Sequence, residues 1–392
     1  MKILVTDGDN RAALAITRSL GREHGIIVAS TQQHSLASVS RWCHDSFTYP
    51  DPVHDPQGFL NRLRDEVQRR HIDVLLPVSD VTTILVAEHE DDFKPCRIPI
   101  ASANTIKRAA DKVEIMALAA RLGVPSPTGI AVRNSEEAIL RAHEIGFPLV
   151  VKPGRSRVRV EGRWLSTSVR YAADPAELKG ILNELHPAIF PVLLQERIQG
   201  PGVGLFLCCD QGRPLAAFCH ERLREKPPSG GVSVLRESIA VDERAREYAQ
   251  RLLGELRWHG IAMVEFKRDA RDGIPKLMEI NGRFWGSLQL AIDAGVDFPA
   301  LLIRMLDDKA ITAVNTYRIG VRSRWLWGDI DALLMLLLKR SERERLPQAQ
   351  RSRWRALARF FAWQGRRSRF EVLRLNDLRP WLLESWRWFT RR

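Results

Sequence analysis

The sequence predicts a mixed α/β and α+β protein with a basic, mainly helical appendage at its C-terminal end. Strands and helices alternate over about the first hundred residues, and two apolar strands near residue 270 each contain one glutamate. The net charge of +13 is uneven, because Arg318 to Arg392 hold 19 Lys and Arg against 7 Asp and Glu. A chain of 392 residues with this composition is long enough for two or three packed domains.

The first segment, residues 1–104, repeats a strand, a polar loop and a helix. The β-branched run "KILVT" leads into "DGDN" and then into helical spacing, and "GIIVAS" and "DVLLPVSD" repeat the strand pattern around the helical "FLNRLRDEVQRR". This alternation predicts a parallel sheet with helices on its faces. The first loop contains Gly8 but no GxGxxG, so we expect no dinucleotide site there.

The middle of the chain contains apolar strands separated by Gly and Pro. The strand "PLVVK" ends at Lys152, which taken alone would be a solvated lysine. The stretch "VLLQERIQGPGVGLFLCC" predicts a strand, a Gly/Pro hinge and a second strand. The following "ERLREKPPSGGVSVLRES" is interpreted as a basic, glycine-rich loop. Its Arg222, Arg224 and Lys226 either stay solvated or clamp phosphate or carboxylate oxygens.

Two strands carry the candidate metal ligands. The segments "MVEFK" and "MEIN" are joined by "RDARDGIP", which contains the turn pair Asp272 and Gly273, so they predict an antiparallel hairpin. Glu265 and Glu279 then face the same side, and Asn281 shares the face of Glu279 because strand side chains alternate. Two carboxylates and an amide suit Mg²⁺. For either glutamate alone, a salt bridge to a neighbouring Arg or Lys is the simpler explanation.

The order and spacing of these motifs resemble the ATP-grasp superfamily of carboxylate–amine ligases and biotin-carboxylase-like enzymes, from Met1 to about Lys309. The resemblance implies an ATP-grasp fold preceded by a small Rossmann-like domain. The implied segments are 1–104 (the first domain), 105–194 (first lobe), 195–309 (second lobe with the metal site) and 310–392 (the tail).

The resemblance also implies roles for individual residues. Those assigned to ATP are Lys112 and Lys152 at the phosphates and Gln195, Glu196 and Ile198 at the adenine. Those assigned to the metal are Glu265, Glu279 and Asn281. Those assigned to the transferred phosphate or the substrate are Arg283, Arg222 and Arg224. An acidic residue that often follows the hinge glycine and binds the ribose is absent from "GPGVG", so the ribose contacts stay unassigned.

The implied activity is ATP-dependent ligation with small-molecule carboxylate and amine substrates. A carboxylate would attack the γ-phosphate of ATP, with two Mg²⁺ ions or Mn²⁺ as cofactor, and an amine would displace phosphate from the acyl phosphate. One alternative is a carboxylase of the biotin-carboxylase type that uses bicarbonate. Another is a degenerate adaptor that binds an anionic surface through its tail, although nucleic acid is not the expected partner. The sequence does not indicate an oligomeric state.

Composition also bears on location and on the cysteines. The start "MKILVTDGDN" meets aspartates after a short apolar run, and no apolar run approaches ~18 residues, so we expect a cytoplasmic protein. The cysteines have no CxxC pair and are expected to be buried free thiols. They are Cys43, Cys96, Cys208, Cys209 and Cys219.

The tail lies outside the resemblance. It holds seven of the eleven tryptophans, and its apolar run Ala332–Leu338 is too short to span a bilayer. We expect Trp325 and Trp327 to pack on the body. For about the last forty residues, packing on the body and an interfacial helix at the inner face of an anionic membrane both remain open. The membrane hypothesis predicts that truncation after about Gln348 abolishes liposome binding and spares ATP binding.

Overall fold

A computed structural model of the chain provides the structure. It describes residues 1–155, 157–160, 163–307, 313–314, 316–340, 343, 352–362, 365 and 367–390.

The first sheet has four parallel strands. The strands are β1 (Lys2–Val5), β2 (Gly25–Ser30), β3 (Asp45–Thr48) and β4 (Val74–Leu76), and the helices around them are α1 (Arg11–Leu20), α2 (Pro56–Arg70) and α3 (Asp80–Glu88). The strand order is β3-β2-β1-β4, which confirms the predicted parallel sheet. Ile3 and Val5 of β1 share a core with Leu14 and Ile16 of α1, and the Asn10 side chain caps α1.

The second sheet is antiparallel and follows two helices, α4 (Ala103–Ala110) and α5 (Lys112–Arg121). Its segment contains β5 (Gly129–Val132), α6 (Ser135–Arg141), β6 (Leu149–Pro153), β7 (Arg157–Val160), β8 (Arg163–Ser166), β9 (Arg170–Ala172), α7 (Pro175–Asn183) and β10 (Val192–Glu196). The strand order is β5-β10-β6-β9, while β7 and β8 form a separate hairpin. The predicted segment limit between residues 194 and 195 falls within β10. The predicted segment limits stay predictions.

The third sheet is the largest and holds the glutamate hairpin. Its segment contains β11 (Gly202–Asp210), β12 (Arg213–Lys226), β13 (Val232–Ser238), α8 (Glu243–Glu255), β14 (Gly260–Arg268), β15 (Pro275–Asn281), α9 (Leu288–Ala294), α10 (Phe298–Met305), β16 (Arg322–Arg324), α11 (Leu326–Leu338), α12 (Arg353–Phe361), β17 (Ser368–Phe370) and α13 (Arg379–Thr390). The strand order is β15-β14-β11-β12-β13-β16-β17. Two strands of the tail, β16 and β17, therefore extend this sheet.

One sequence interpretation of this region was wrong. The stretch around Arg222 and Arg224 was expected to be a loop, but β12 continues to Lys226, which pairs with Val232 of β13. The tail supplies partners that the local sequence does not show, because Asp329 and Asp331 of α11 form ion pairs with Arg224 and Lys226. Only residues 227–231 lie between the two strands.

The tail packs on the body through buried ion pairs. Glu371, with only 2 % of its side chain exposed, contacts Arg11 at 2.7 Å and also pairs with the buried Arg236. Asp377 contacts Arg18 at 2.8 Å. These contacts join the segment after α12 to α1 and β13, so this part of the tail is integral to the fold.

Trp325 packs on the body, as expected, whereas the described contacts of Trp327 are with α13 of the tail itself. The Arg11 guanidinium lies 3.8 Å from the Trp325 ring centroid, and Trp327 stacks on Trp388 of α13 at 4.3 Å between centroids. The outer face of α13 exposes Trp386 and Phe389. No helix among the described residues is both long enough and apolar enough to cross a membrane.

The cysteines are free thiols, as expected. Cys43 is half-buried, and the others are buried. Burial raises the pKa of the Cys43 thiol to about 11, so it is protonated at neutral pH.

Candidate functional site

The hairpin of β14 and β15 places Glu265 directly opposite Glu279. Residues opposite each other in an antiparallel pair lie on the same face of the sheet, so the predicted hairpin and the shared face are confirmed. A bulge in the register follows Glu265, and both side chains are half-buried. Two carboxylates this close repel each other unless a positive charge lies between or beside them.

Asn281 lies beside Glu279 on that face. Its side-chain amide donates a hydrogen bond to Glu279 Oε1 at 3.0 Å, which confirms that residues two apart on β15 point the same way. The structure therefore brings the three predicted metal ligands together on the end of one hairpin.

Two buried lysines supply positive charge at Glu279. Lys112 begins α5, and its Nζ lies 3.6 Å from Glu279 Oε2. Lys152 lies in β6, has 6 % of its surface exposed, and donates from Nζ to the Met278 carbonyl oxygen at 2.7 Å. The lysines come from different elements, which meet because the Lys112 backbone N–H donates to the Gly154 carbonyl at 2.7 Å.

The charges alter the protonation of the site. Burial lowers the pKa of Lys152 to about 8, with Glu279 acting in the opposite direction. Burial also acts to raise the pKa of Glu279, but the ammonium groups of Lys112 and Lys152 hold it below the usual value. The pKa of Glu265 is raised, because its burial outweighs the attraction of Arg222.

The predicted arginines go to different places. Arg222 Nη2 donates to Glu265 Oε1 at 2.8 Å, so Arg222 belongs to the site. Arg283 Nε contacts Asp80 Oδ1 at 3.0 Å at the start of α3. Arg224 is directed away, because its guanidinium bonds Asp329 of α11 and the Arg359 carbonyl oxygen.

A cavity of about 340 Å³ lies against this cluster. Its walls include four of the predicted residues, which are Lys112, Glu279, Asn281 and Arg283. Its walls also include Asp80, Lys107 and Trp164. The cavity is therefore bounded by the first sheet's helix α3, by the second segment and by the glutamate hairpin.

Three cavity arginines were missed by the sequence analysis. Arg155, Arg157 and Arg159 line the cavity from the start of the β7–β8 hairpin. The signal for two of them was present, because "RVRV" places arginine at every second position and so on one face of a strand. A strand with arginines on one face beside a cavity favours a ligand rich in negative charge.

The three hinge residues lie outside the described lining of this cavity. Gln195 and Ile198 are buried, with 3 % and 5 % of their surfaces exposed. Glu196 accepts from the Thr128 backbone N–H at 2.9 Å and pairs with Arg271 at 2.8 Å. Glu196 thus ties β10 to the third sheet's hairpin, and its role toward adenine stays a prediction.

The donor set at the hairpin fits a hard divalent cation. Among the described residues, no group of three or more His, Cys, Asp and Glu side chains is arranged to hold a metal, so a metal at the hairpin would also need ligands of other kinds. Glu265 and Glu279 would then provide two carboxylates and Asn281 an amide, and the remaining ligands would be water or phosphate oxygens. That combination is the one Mg²⁺ takes when it binds with a nucleotide.

Comparisons with known proteins include one matching family model. Residues 189–328 match a family model described as "ATP-grasp in the biosynthetic pathway with Ter operon". The large chain of carbamoyl phosphate synthase from Thermus thermophilus is 30% identical over 172 residues. The match covers 42% of this chain and 16% of that protein, so the chain spans a small part of its curated relative.

Solved structures resemble most of the chain. A biotin carboxylase from Campylobacter jejuni, described as a "beta-gamma-ATP" complex, has a TM-score of 0.65 at 16% identity, and the match covers 82% of this chain and 74% of that chain. An L-amino acid ligase from Bacillus licheniformis has a TM-score of 0.61 at 15% identity, covering 82% and 78%. At such identities the likeness concerns the fold.

Proposed function

Because this chain belongs to the ATP-grasp superfamily, we propose that it is an ATP-dependent ligase that joins a carboxylate to an amine. The observation that carries the proposal is the assembly of Glu265, Glu279 and Asn281 with Lys112 and Lys152 beside one cavity. Lys112 pairs with Glu279 and Arg222 with Glu265, and a cluster of perturbed charged groups at a cavity favours a ligand-binding site.

The proposed reaction has two steps. A carboxylate oxygen attacks the γ-phosphorus of ATP, the bond from that phosphorus to the β,γ-bridging oxygen breaks, and ADP leaves. The amine nitrogen then attacks the acyl carbon, phosphate leaves with the electrons of the carbon–oxygen bond, and the nitrogen loses a proton to water. Catalysis of the first step requires positioning and positive charge more than covalent chemistry.

We assign the residues accordingly. Lys112 and Lys152 would bind phosphate oxygens, and Arg222 and Arg283 would face the transferred phosphate or the carboxylate. Arg155, Arg157 and Arg159 would cover the same anion from the hairpin side. Gln195, Glu196 and Ile198 would hold adenine. Glu265, Glu279 and Asn281 would hold Mg²⁺, which when bound neutralises phosphate charge. The proposed cofactor is two Mg²⁺ ions, for which Mn²⁺ can substitute.

The test is product analysis with purified protein, ATP, Mg²⁺ and a panel of carboxylates and amines. We expect ADP and phosphate, and a hydroxamate when hydroxylamine replaces the amine, because hydroxylamine captures an acyl phosphate. Release of AMP and pyrophosphate would contradict the proposal, since a different phosphorus–oxygen bond would then be broken.

A carboxylase is the second candidate, and the likeness to biotin carboxylase favours it. In that case bicarbonate is the carboxylate that attacks ATP. ADP release that requires bicarbonate and is indifferent to every other carboxylate would favour this candidate over the ligase.

We further propose that the outer face of α13 associates weakly with the anionic inner face of the cell membrane. The supporting observation is exposure, because Leu382, Trp386 and Phe389 have 55%, 63% and 64% of their surfaces exposed. A variant with Trp386→Ser and Phe389→Ser should sediment less with anionic vesicles than the parent. Equal sedimentation, or none by the parent, would exclude the association.

A further inference from the structure

A second cavity, of about 230 Å³, lies between β12, α11 and α12. Two of its three walls come from the tail, which the superfamily resemblance did not cover. Its lining combines apolar side chains with arginines, so it has the two surfaces that an amphipathic anion requires.

Among the described residues, the charged lining of the cavity consists of Arg222, Arg224 and Arg359 against Glu225 and Asp329, with Glu225 3.2 Å from Arg222. Asp329, with 1% of its side chain exposed, is contacted at 2.6 Å by both Arg224 and Arg324. The Asp329 carboxylate thus forms ion pairs with two guanidinium groups. Among the described residues, the buried Arg224 Nε and Arg324 Nη2 have no hydrogen-bond partner. A carboxylate bound in the cavity would add a second anion beside the Arg224 guanidinium, which now shares Asp329 with Arg324.

The other side of the cavity is apolar. Ala332, Leu333 and Leu336 of α11 face Ala356 and Phe360 of α12 across it. An aliphatic chain placed here would be removed from water, which favours binding in proportion to its length.

The cavity is linked to the proposed metal site through one side chain. Arg222 lines the cavity and also donates to Glu265 at 2.8 Å. A bulge in β12 separates the directions of Arg222 and Arg224, so one guanidinium meets Glu265 and the other meets Asp329. A carboxylate bound at this end of the cavity would lie next to the side chain that contacts the metal ligand.

We propose that this cavity binds an aliphatic or aromatic monocarboxylate, with its carboxylate at Arg222 and Arg224 and its apolar chain between α11 and α12. That this ligand is the carboxylate that ATP activates rests on the proposed function. The superfamily fold supplies the phosphate chemistry, and the tail of this chain selects the acid.

The test measures binding of butanoate, hexanoate and octanoate by calorimetry, without nucleotide. Each added methylene should tighten binding by about fourfold until the cavity is full. Hexan-1-ol should bind far more weakly than hexanoate, because it lacks the charge that meets the arginines. ATP binding is measured separately on the same protein.

Two matched variants locate the site. Leu333→Trp fills the cavity and should weaken hexanoate binding at least about tenfold by steric exclusion. Leu338→Trp is the control on the same helix, because Leu338 is 75% exposed and is not among the lining residues. If Leu333→Trp does not fold, Arg224→Gln replaces it and should weaken hexanoate at least about tenfold through loss of the charged hydrogen bond.

The outcomes separate the two proposals. No binding of any acid by a protein that binds ATP would overturn the cavity proposal and leave the ligase proposal standing. Equal affinity for hexanoate and hexan-1-ol, or undiminished binding by the folded Leu333→Trp variant, would also overturn it. Length-dependent binding of acids by a protein that does not bind ATP would support the cavity and overturn the ligase.

Discussion

At the scale of single residues, Glu279 has the most partners in the candidate site. It lies opposite Glu265, accepts from Asn281 and lies near Lys112, and Lys152 also acts on its pKa. A side chain in this position is needed as an anion, because two cations and a metal would share its charge.

We expect Glu279→Gln to lower ATP turnover at least about a hundredfold, because the amide keeps the volume but removes a ligand charge worth several kcal/mol to a bound Mg²⁺. Steady-state ADP release measures this. The control is Glu237→Gln in β13, which removes the carboxylate that pairs with Arg322 of β16 and should leave turnover near the parent value. Parent-like turnover in the Glu279 variant would remove the metal assignment.

Lys152 should make ATP binding pH-dependent. Burial lowers its pKa to about 8, so the ammonium that would bind phosphate is lost as the pH rises through that value. The dissociation constant for ATP should be constant below this pH and rise by up to about tenfold per unit above it. Lys152→Arg keeps its charge throughout and should remove the rise. A parent profile that is flat up to pH 10 would contradict the role.

At the scale of elements, the packing at the end of β15 explains why a glycine, Gly282, follows the proposed metal ligand Asn281. Gly282 follows Asn281, and a Cβ there would approach the ring of the buried Trp258 to 2.4 Å. Trp258 also donates from Nε1 to the Ile261 carbonyl at 3.0 Å, so the indole cannot easily move. The glycine lets the strand end against this ring while Asn281 and Arg283 point to the cavity.

We expect Gly282→Ala to cost about 1–3 kcal/mol of unfolding free energy through this overpacking. Denaturant unfolding with a linear extrapolation measures the loss. Gly254→Ala in α8 is the control, since nothing lies within 4 Å of its built Cβ and alanine is favoured in helices. A Gly282 variant as stable as the parent would show that Trp258 yields at no cost.

At the scale of the whole molecule, the tail joins the first and third sheets. Glu371 bridges Arg11 of α1 and Arg236 of β13, Asp377 meets Arg18, and Arg387 of α13 contacts Asp9 at 2.6 Å. Removing the tail would leave Arg236, which is fully buried, without this carboxylate.

Truncation after Gln348 should therefore destabilise the body, in contrast to the expectation that it spares ATP binding. Breaking one buried ion pair costs about 3–5 kcal/mol, which corresponds to a fall in Tm of about 4–6 °C for a chain of this length, and truncation breaks several such pairs. Differential scanning calorimetry of the truncated chain measures this, and Glu371→Gln alone should reproduce part of the fall. An unchanged Tm in the truncated chain would mean that the tail only covers a stable body.

Much of the fold and part of the site were predictable from local sequence. Strand alternation is a local property, so "MEIN" was enough to place Glu279 and Asn281 on one face, and the turn at Asp272 and Gly273 was enough to predict the hairpin. Repeated strands and helices predicted the parallel first sheet for the same reason. These features follow from the spacing of apolar and polar side chains along a strand or helix, which can be seen directly in the sequence.

Only the tertiary structure decided where the charges meet. Arg222 and Arg224 are two residues apart, yet a bulge directs one to Glu265 and the other to Asp329, more than a hundred residues away in sequence. The sequence likewise left open whether the end of the tail packs on the body or forms an interfacial helix, whereas in the structure the carboxylates of Glu371 and Asp377 are buried against arginines of α1 and β13. The energy of a charge depends on its partners and its exposure, and both are set by residues that are distant in the chain and adjacent in the fold.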